Sequence, residues 1–206
     1  MKVMKIYPKG FAANSYLVTA DGVHAIAIDP SQERVLGEAK RRGLEVGLVL
    51  LTHGHFDHVG GVAAFLKEGA KAFCFEKEAA LLGTEALLLG YGAEERFRFA
   101  LDGCLKDGET TEFYGLTIEC LATAGHTAGS ACYRVFDKSD GSAALFTGDT
   151  LFCGAVGRTD LPTGNGEELE RSLLKLARLD GDYPVFAGHD EDTSLNEERR
   201  NNPYLR

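Results

Sequence analysis

The most informative part of the chain is residues 52–58, which run Thr52-His53-Gly54-His55-Phe56-Asp57-His58. Three imidazoles and one carboxylate fall within six positions, directly after the apolar run 46–51. A continuous apolar run of this length predicts a strand buried on both faces. Neutral imidazole is the commonest protein ligand for zinc and also suits iron and copper. We therefore predict a metal site where a core strand ends and a loop begins.

Composition predicts one folded domain over residues 1–206. The chain is 44% hydrophobic and 26% charged, which is ordinary for a soluble globular protein. Its net charge of −9 disfavours non-specific binding to nucleic acid, which depends on neutralising phosphates. No apolar stretch approaches the roughly 20 residues that span a bilayer, and the N-terminus lacks the apolar segment of a signal peptide. We expect a cytoplasmic protein whose partner is neither a membrane nor a nucleic acid.

The five cysteines form no recognisable framework. Their number is odd, they are scattered, and no Cys-x-x-Cys pair occurs. This distribution disfavours both a disulfide framework and a thiolate zinc site. Cys153 lies near one of the polar motifs described below, and we interpret it as a small buried apolar residue.

Apolar periodicity predicts alternating strands and helices. Strands are predicted at 2–7, 14–20, 23–29, 46–51, 71–75, 111–114, 116–122, 131–136, 143–147 and 183–187. Helices are predicted from Asp29 to about Arg42, over 62–68, 76–89 and 167–179, and after a cap at Ser194. Because helices flank strands in both halves, we expect them to cover the faces of the sheets.

Three more candidate ligands directly follow predicted strands. They lie in Gly125-His126-Thr127, Thr147-Gly148-Asp149 and Gly188-His189. Each follows a glycine, which lets the backbone approach its neighbours closely. Functional groups gather at strand ends in layered α/β folds, so these residues are expected to join the first cluster. The sixth histidine, His24, lies inside a strand pattern and is interpreted as structural.

The candidate metal ligands are seven in number, namely His53, His55, Asp57, His58, His126, Asp149 and His189. Seven ligands are too many for one tetrahedral zinc and suit two ions with an open position. A carboxylate such as Asp149 can bridge two cations because it has two oxygens. Two neighbouring ions would share a water molecule and lower its pKa towards neutrality.

The order and spacing of these motifs resemble the metallo-β-lactamase superfamily. The similar segments are 52–58, Gly60-Gly61, Gly125-His126-Thr127, Thr147-Gly148-Asp149 and Gly188-His189, which together extend over most of the chain. Residues 146–152 and 156–162 and the ending Thr193, Glu197 and Asn202-Pro203-Tyr204 are similar to the short bacterial glyoxalase II-like (hydroxyacylglutathione hydrolase-like) hydrolases. The resemblance implies an α/β fold, a four-layer αβ/βα sandwich of two sheets with outer helices.

The resemblance also implies a division of the ligands. The first metal would be held by His53, His55 and His126, the second by Asp57, His58 and His189, and Asp149 would bridge them. The ions would be divalent, with zinc expected first and iron or manganese also possible. A bridging hydroxide would attack a thioester or a similar activated acyl compound. Asp57 and Asp149 are the catalytic candidates, Asp57 to hold or receive a proton and Asp149 to orient as well as ligate.

Two departures from the glyoxalase II pattern concern the substrate. Full-length glyoxalase II enzymes carry a C-terminal helical domain that helps to bind glutathione, whereas this chain ends soon after His189. We therefore expect no separate domain of this kind, and a glutathione thioester is only one possible small-molecule substrate. The family usually has glycine after the last ligand, where this chain has Asp190. We interpret Asp190-Glu191-Asp192 as a solvated loop.

Three residues outside the ligand set are expected near the metals. Arg158 is expected to pair with Asp57 or with another carboxylate that orients a ligand. The alternatives for Arg158 are contact with substrate and a plain surface ion pair. Asn14 and Tyr16 resemble the first strand of the family and are expected to be structural.

The principal alternative function is that of a mononuclear iron oxidoreductase. Persulfide dioxygenases, a related branch, share the stretch Gly157-Arg158-Thr159-Asp160 and use a two-His-one-carboxylate set. In this chain the matching residues are His53, His126 and Asp149. The complete second site favours hydrolysis. The acidic charge disfavours nucleic-acid processing, the loop 157–162 does not favour lactone or β-lactam hydrolysis, and the oligomeric state is open.

Overall fold

The computed structural model describes residues 1–205 as strands and helices that alternate along the chain. The strands are β1 Lys2–Ile6, β2 Ser15–Thr19, β3 His24–Ile28, β4 Glu45–Leu51, β5 Lys71–Phe75, β6 Gly103–Leu105, β7 Thr110–Phe113, β8 Leu116–Ala122, β9 Ala131–Asp137, β10 Ala143–Gly148, β11 Leu151–Phe152, β12 Ala155–Val156, β13 Pro184–Ala187 and β14 Thr193–Ser194. The α-helices are α1 Arg34–Arg41, α2 Phe56–Val59, α3 Val62–Lys67, α4 Glu76–Ala79, α5 Glu85–Leu88, α6 Gly166–Ala177 and α7 Leu195–Asn201. A 3₁₀ turn spans Glu95–Phe97.

The strands form two six-stranded sheets and a small hairpin. The first sheet has the order β1-β2-β3-β4-β5-β6 and is parallel from β3 to β6. The second has the order β14-β13-β10-β9-β8-β7 and is antiparallel except for the pair β10–β13. The hairpin pairs β11 with β12.

Three apolar clusters separate four layers. The cluster between the sheets includes Tyr16, Ile26, Leu50, Ile118, Tyr133 and Phe146. The cluster between the first sheet and its helices includes Leu17, Val49, Leu51, Val35, Val62 and Phe65. The cluster between the second sheet and its helices includes Leu145, Val185, Leu169, Leu173, Leu176 and Leu195. Burial of both faces of each sheet confirms the predicted αβ/βα sandwich.

The sheet topology brings the polar motifs to one edge. Strand β4 lies between β3 and β5, and its buried segment 48–51 leads directly into the motif at residue 52. Parallel strands end at the same edge of a sheet, so Asp29 after β3 lies beside that motif. The parallel pair β10–β13 likewise brings the loops after residues 148 and 187 together.

The prediction of one helix over 76–89 is wrong. This segment contains two short helices, α4 and α5, separated by a turn in which Gly83 has a φ of +75°. The predicted helix start at Asp29 is also wrong, because Asp29 has a φ of +46° and α1 begins at Arg34. The short strands β6, β11, β12 and β14 and the helix α2 carried too little periodicity to be predicted.

The cysteine predictions are only partly correct. All five cysteines are free thiols, in agreement with the absence of a disulfide framework. Cys153, however, is exposed in the turn between β11 and β12, so its interpretation as a buried apolar residue is wrong. Within residues 1–205, no helix has the length and apolar character needed to cross a membrane.

Candidate metal centre

The structure brings all seven predicted ligands together at this edge of the sheets. Two compact groups are formed by His53 with His55 and His126, and by Asp57 with His58 and His189. Within each group, one ligand atom from every residue lies within 4.8 Å of the others. These are the same two groups that the sequence resemblance implied.

Asp149 lies between the two groups. Its Oδ1 is 3.2 Å from Nε2 of His58, and its Oδ2 is 3.5 Å from Nε2 of both His126 and His189. Two atoms that each lie about 2.1 Å from a tetrahedral ion are about 3.4 Å apart. The observed separations therefore suit a carboxylate that shares one cation with each group.

Several buried polar atoms here have no hydrogen-bond partner within residues 1–205. They are Nε2 of His53, His55 and His58, and Oδ1 of Asp149. Buried polar atoms are rarely left without a partner in native proteins, and a bound cation would supply one. The mixture of imidazole nitrogen and carboxylate oxygen suits zinc, iron or manganese. The residues present thus fit a metal centre.

The protonation of the first group also suits metal binding. Burial is the largest cause that lowers the pKa of His53 well below its usual value, and the neighbouring imidazoles lower it further. Burial, together with His126, lowers the pKa of His55 to about 4. Both imidazoles are neutral near pH 7, which is the form that binds metal.

Two glycines are needed because the ligand loops approach closely. A Cβ on Gly188 would lie 2.2 Å from Oδ1 of Asp149 and 2.6 Å from Cε1 of His58. Gly148 has a φ of +49°, and its Cβ would lie 2.2 Å from Oγ1 of Thr52. The amide of Gly188 donates to the carbonyl of Gly148, at 2.8 Å. Steric exclusion therefore explains why glycine precedes two of the candidate ligands.

Asp29 is a site residue that sequence reasoning missed. It is buried, and its Oδ2 accepts hydrogen bonds from Oγ1 of Thr52 at 2.5 Å and Nδ1 of His58 at 2.9 Å. Its Oδ1 accepts from the amide of Thr52, at 2.8 Å. Asp29 also lies close enough to His53 and His58 to form a third potential metal group. Because its oxygens already accept these bonds, we assign it to the support of His58. The signal in the sequence was an acidic residue at the end of a predicted strand.

The expected pairing of Arg158 with Asp57 is wrong. The guanidinium forms a two-pronged ion pair with Asp160, with N–O distances of 2.6 and 2.7 Å. The surface ion pair, which was one of the alternatives, is therefore what the structure contains. The main-chain carbonyl of Arg158, however, accepts a hydrogen bond from Nδ1 of His126 at 2.8 Å. This bond directs Nε2 of His126 toward the cluster, a role that side-chain chemistry did not reveal.

Asn14 and Tyr16 hold the loop that carries His189 in place, in agreement with the structural role expected for them. The hydroxyl of Tyr16 donates to the carbonyl of Ala187 at 2.6 Å. The amide of Asn14 donates to the carbonyl of Gly188 at 2.7 Å. Its side-chain amide donates to the carbonyls of Ala187 and Asp190. Both residues contact main-chain groups around His189 and are structural in this sense.

Residues 190–192 and His24 belong to none of the ligand groups. Glu191 and Asp192 are exposed, as expected for a solvated loop, and Asp192 pairs with Lys5 at 2.8 Å. Nδ1 of His24 contacts Asp21 at 2.7 Å, and its ring stacks on Tyr114 with a centroid separation of 4.1 Å. His24 is therefore structural, as interpreted.

A cavity of about 450 Å³ opens beside the ligands. Its apolar lining residues are Phe11, Phe56, Leu89, Phe152, Val156 and Leu161. Phe56 stacks between Phe11 and Tyr91, with centroid separations of 5.8 and 4.2 Å. Phe11 is 80% exposed, so the cavity has an uncovered aromatic edge. Cavities of this size commonly hold small-molecule ligands.

Comparison with known proteins gives a consistent assignment. The Metallo-beta-lactamase superfamily profile matches residues 8–189. Hydroxyacylglutathione hydrolase GloC of Haemophilus influenzae is 33% identical over an alignment of 217 positions. The alignment covers 100% of this chain and 98% of the relative.

Solved structures share the fold along nearly the whole chain. BLEG-1, described as a B3 metallo-beta-lactamase, has a TM-score of 0.85 and 29% identity, with 99% of both chains covered. TTHA1623, crystallised in a di-iron-bound form, has a TM-score of 0.81 and 31% identity, covering 98% of this chain and all of the other. ETHE1 from Myxococcus xanthus has a TM-score of 0.75 and 26% identity, covering 98% of this chain and 84% of the other.

Proposed function

The chain belongs to the metallo-β-lactamase superfamily, and on that premise we propose that it is a dinuclear hydrolase of thioesters or similar activated acyl compounds. The proposed first ligand set is His53, His55 and His126, the second is Asp57, His58 and His189, and Asp149 is shared. The observation that carries the proposal is the position of Asp149, which lies 3.2–3.5 Å from nitrogens of both groups. Zinc is our first choice of metal, and iron or manganese would also fit these ligands.

Two bound divalent ions would supply an acidified water molecule and positive charge for an oxyanion that develops at the substrate carbonyl. The residues of the chain hold the geometry that this chemistry requires. Asp149 reaches both ligand groups, because its Oδ2 lies 3.5 Å from Nε2 of both His126 and His189. The carboxylate of Asp57 lines the cavity and lies 3.4 Å from Nε2 of His189, where it can hold a proton during turnover.

The cavity supports an acyl compound as the substrate class. Its aromatic and aliphatic lining offers contact to the carbon skeleton of an acyl group. Arg158 is the only arginine or lysine among these lining residues, and its guanidinium is already paired with Asp160. The name of the Haemophilus relative makes a hydroxyacyl thioester of glutathione the first compound to test. We also propose a cytoplasmic location. We propose that nucleic acid is not a partner, because the net charge of −9 opposes phosphate binding.

The test is a thioesterase assay on protein whose metal content is known. Protein reconstituted with zinc, iron or manganese is assayed with acyl thioesters of glutathione and coenzyme A, before and after chelation. We expect metal-dependent cleavage that falls by about 100-fold or more in His189→Ala, because a ligand and its geometry are lost. His24→Ala, which removes a histidine outside the site, is expected to retain activity. Absence of cleavage with every metal and every thioester would refute this function.

A second candidate is an iron-dependent oxidation of a persulfide. The observation that favours it is that His53, His126 and Asp149 provide two imidazoles and one carboxylate, a set typical of non-haem iron oxygenases. Metal analysis and an oxygen electrode separate the two functions. One iron per chain with oxygen uptake that requires a persulfide would favour oxidation. Two metals per chain without such uptake would exclude it.

A further inference from the structure

Glu78 is a fully buried carboxylate that joins two separate loops. Its Oε1 accepts a hydrogen bond from the amide of Gly54 at 2.7 Å. Its Oε2 accepts one from Oγ1 of Thr127 at 2.9 Å. Glu78 therefore connects the loop after β4 with the loop after β8, although it belongs to neither.

These two loops carry the complete first ligand group. Gly54 lies between His53 and His55, and Thr127 directly follows His126. The second group has other supports. Asp57 is held through its carbonyl by the amide of Ala13 at 3.0 Å, and His58 is held by Asp29.

We propose that Glu78 is a positioning residue that selectively maintains the metal site formed by His53, His55 and His126. The inference rests on the proposed metal centre. His53 and His55 lie on one loop and His126 lies on the other. By holding the two loops together, Glu78 sets the distance between these imidazoles. Its loss is expected to weaken this site and to leave the site of Asp57, His58 and His189 nearly unchanged.

Two glycines show how closely the loops fit against Glu78. A Cβ on Gly129 would lie 2.2 Å from the amide nitrogen of Glu78 and 2.6 Å from its Oε2. A Cβ on Gly54 would lie 2.5 Å from Cδ2 of Leu82 and 2.8 Å from Cδ1 of Leu87. A side chain at either glycine would collide with Glu78 or with the residues that follow α4, so glycine is what lets both loops approach this closely. The two hydrogen bonds then hold both loops to the same carboxylate.

The chemistry of Glu78 suits positioning better than general stabilisation of the fold. A buried carboxylate is costly to desolvate, and apolar residues of similar volume often stabilise a fold equally well. Here both oxygens accept, Oε1 from the main-chain amide of Gly54, which cannot reverse direction, and Oε2 from the hydroxyl of Thr127. Glutamine has only one acceptor oxygen, so it can keep the bond to Gly54 only by turning a donor toward Thr127. The carboxylate accepts from both loops at once, which glutamine cannot do.

The experiment compares Glu78→Gln in two backgrounds that each retain one site. His189→Ala removes a ligand of the second group, and His55→Ala removes a ligand of the first. Cobalt(II) is titrated into each protein, and its affinity and visible absorption spectrum are measured. We expect Glu78→Gln to weaken cobalt binding by about 10–100-fold and to alter the spectrum in the His189→Ala background. In the His55→Ala background we expect less than about a threefold change, since the remaining site does not involve Glu78.

Glu198→Gln is the matched control. Glu198 is also buried, and its carboxylate accepts from the amide of Gly154, from Oγ1 of Thr193 and from Nδ2 of Asn202. None of these partners adjoins a predicted ligand in the sequence. We expect this variant to lower thermal stability without changing cobalt affinity or spectrum in either background.

Equal weakening of both sites, or a loss of stability with unchanged cobalt binding, would overturn the proposal. If Glu78→Gln does not fold, Thr127→Val removes one of the two hydrogen bonds to Glu78. It must then shift cobalt binding in the same site-selective direction, or the proposal fails. The proposed catalytic function is judged separately. Wild-type protein that binds two ions and cleaves no thioester would refute the hydrolase assignment and leave the role of Glu78 intact.

Discussion

Asp29 and His58 are joined by a hydrogen bond of 2.9 Å between Oδ2 and Nδ1. The opposite nitrogen of the imidazole, Nε2, lies 3.2 Å from Oδ1 of Asp149. Because the carboxylate of Asp29 accepts a hydrogen bond from Nδ1–H, the neutral imidazole keeps its lone pair on Nε2. The pair thus fixes the tautomer and the direction of a proposed ligand, a common arrangement behind metal-binding histidines.

Replacing Asp29 with asparagine is expected to weaken the second metal site by about 10–100-fold. The side chain keeps its shape, but it loses the charge and one of the two acceptor oxygens that serve His58 and Thr52. Metal content after dialysis against a graded chelator series measures the change. The control is Asp21→Asn, which alters a carboxylate paired with His24 at 2.7 Å outside the site. Equal metal retention in the two variants would contradict the prediction.

The ligands could be predicted from the sequence because they lie in segments that follow apolar strands. The motif at 52–58 follows β4. His126 comes after β8, Asp149 after β10 and His189 after β13. Strand periodicity thus located the chemistry and, with the family resemblance, the four-layer fold. Element ends were less predictable, since the fourteen residues 76–89 have a helical pattern that is interrupted only by Gly83.

The supporting residues could not be predicted, because their roles depend on contacts between distant segments. Glu78 occupies an ordinary position in a predicted helix. Only folding places it against Gly54, 24 residues before it, and Thr127, 49 residues after it. Asp29 was interpreted as a helix start because proline follows it. Arg158 acts on His126 through its carbonyl, a group that every residue possesses.

Gly188→Ala is expected to disrupt the bridging position and to lower hydrolytic activity by about 100-fold or more. The added methyl group would lie 2.2 Å from Oδ1 of Asp149, so the carboxylate or the loop has to move. The kcat and the number of bound metals per chain are measured together. Gly37→Ala is the control, because a Cβ there meets no atom within 4 Å and alanine favours the helix α1. Full activity of Gly188→Ala would show that the site tolerates this displacement.

Metal removal is expected to lower the thermal stability of the protein substantially. A ligand that binds only the folded state contributes about 4 kcal/mol at a thousandfold excess over its Kd. For a chain of this size, that corresponds to about 8–16 °C in Tm. Calorimetry before and after chelation, followed by addition of zinc, measures the effect. Magnesium is the control ion, because it prefers oxygen ligands and is expected to restore little stability. An unchanged Tm after chelation would argue against a metal centre built from these residues.

The stability of the metal-free protein is expected to fall as the pH rises from about 6.5 to 9. Burial opposes the charged form of His189, but hydrogen bonds to Asp149 and Asp57 outweigh it and raise the pKa to about 9. His58 behaves similarly, since the charges of Asp149 and Asp29 and the hydrogen bond to Asp29 overcome its burial and raise its pKa. In this window the folded state retains protons that the unfolded chain releases, so raising the pH favours unfolding.

A bound metal is expected to reverse this dependence. The cation occupies the place of the protons on His189 and His58, and its affinity rises with pH because the ligands must be deprotonated. Urea unfolding at about pH 6.5, 7.5 and 8.5, with chelator or with zinc, measures both slopes. The variant His189→Gln removes one of the titrating groups and is expected to flatten the metal-free slope. His24→Gln is expected to preserve it, because His24 lies outside the cluster. Identical slopes with chelator and with zinc would mean that these histidines do not exchange protons for metal.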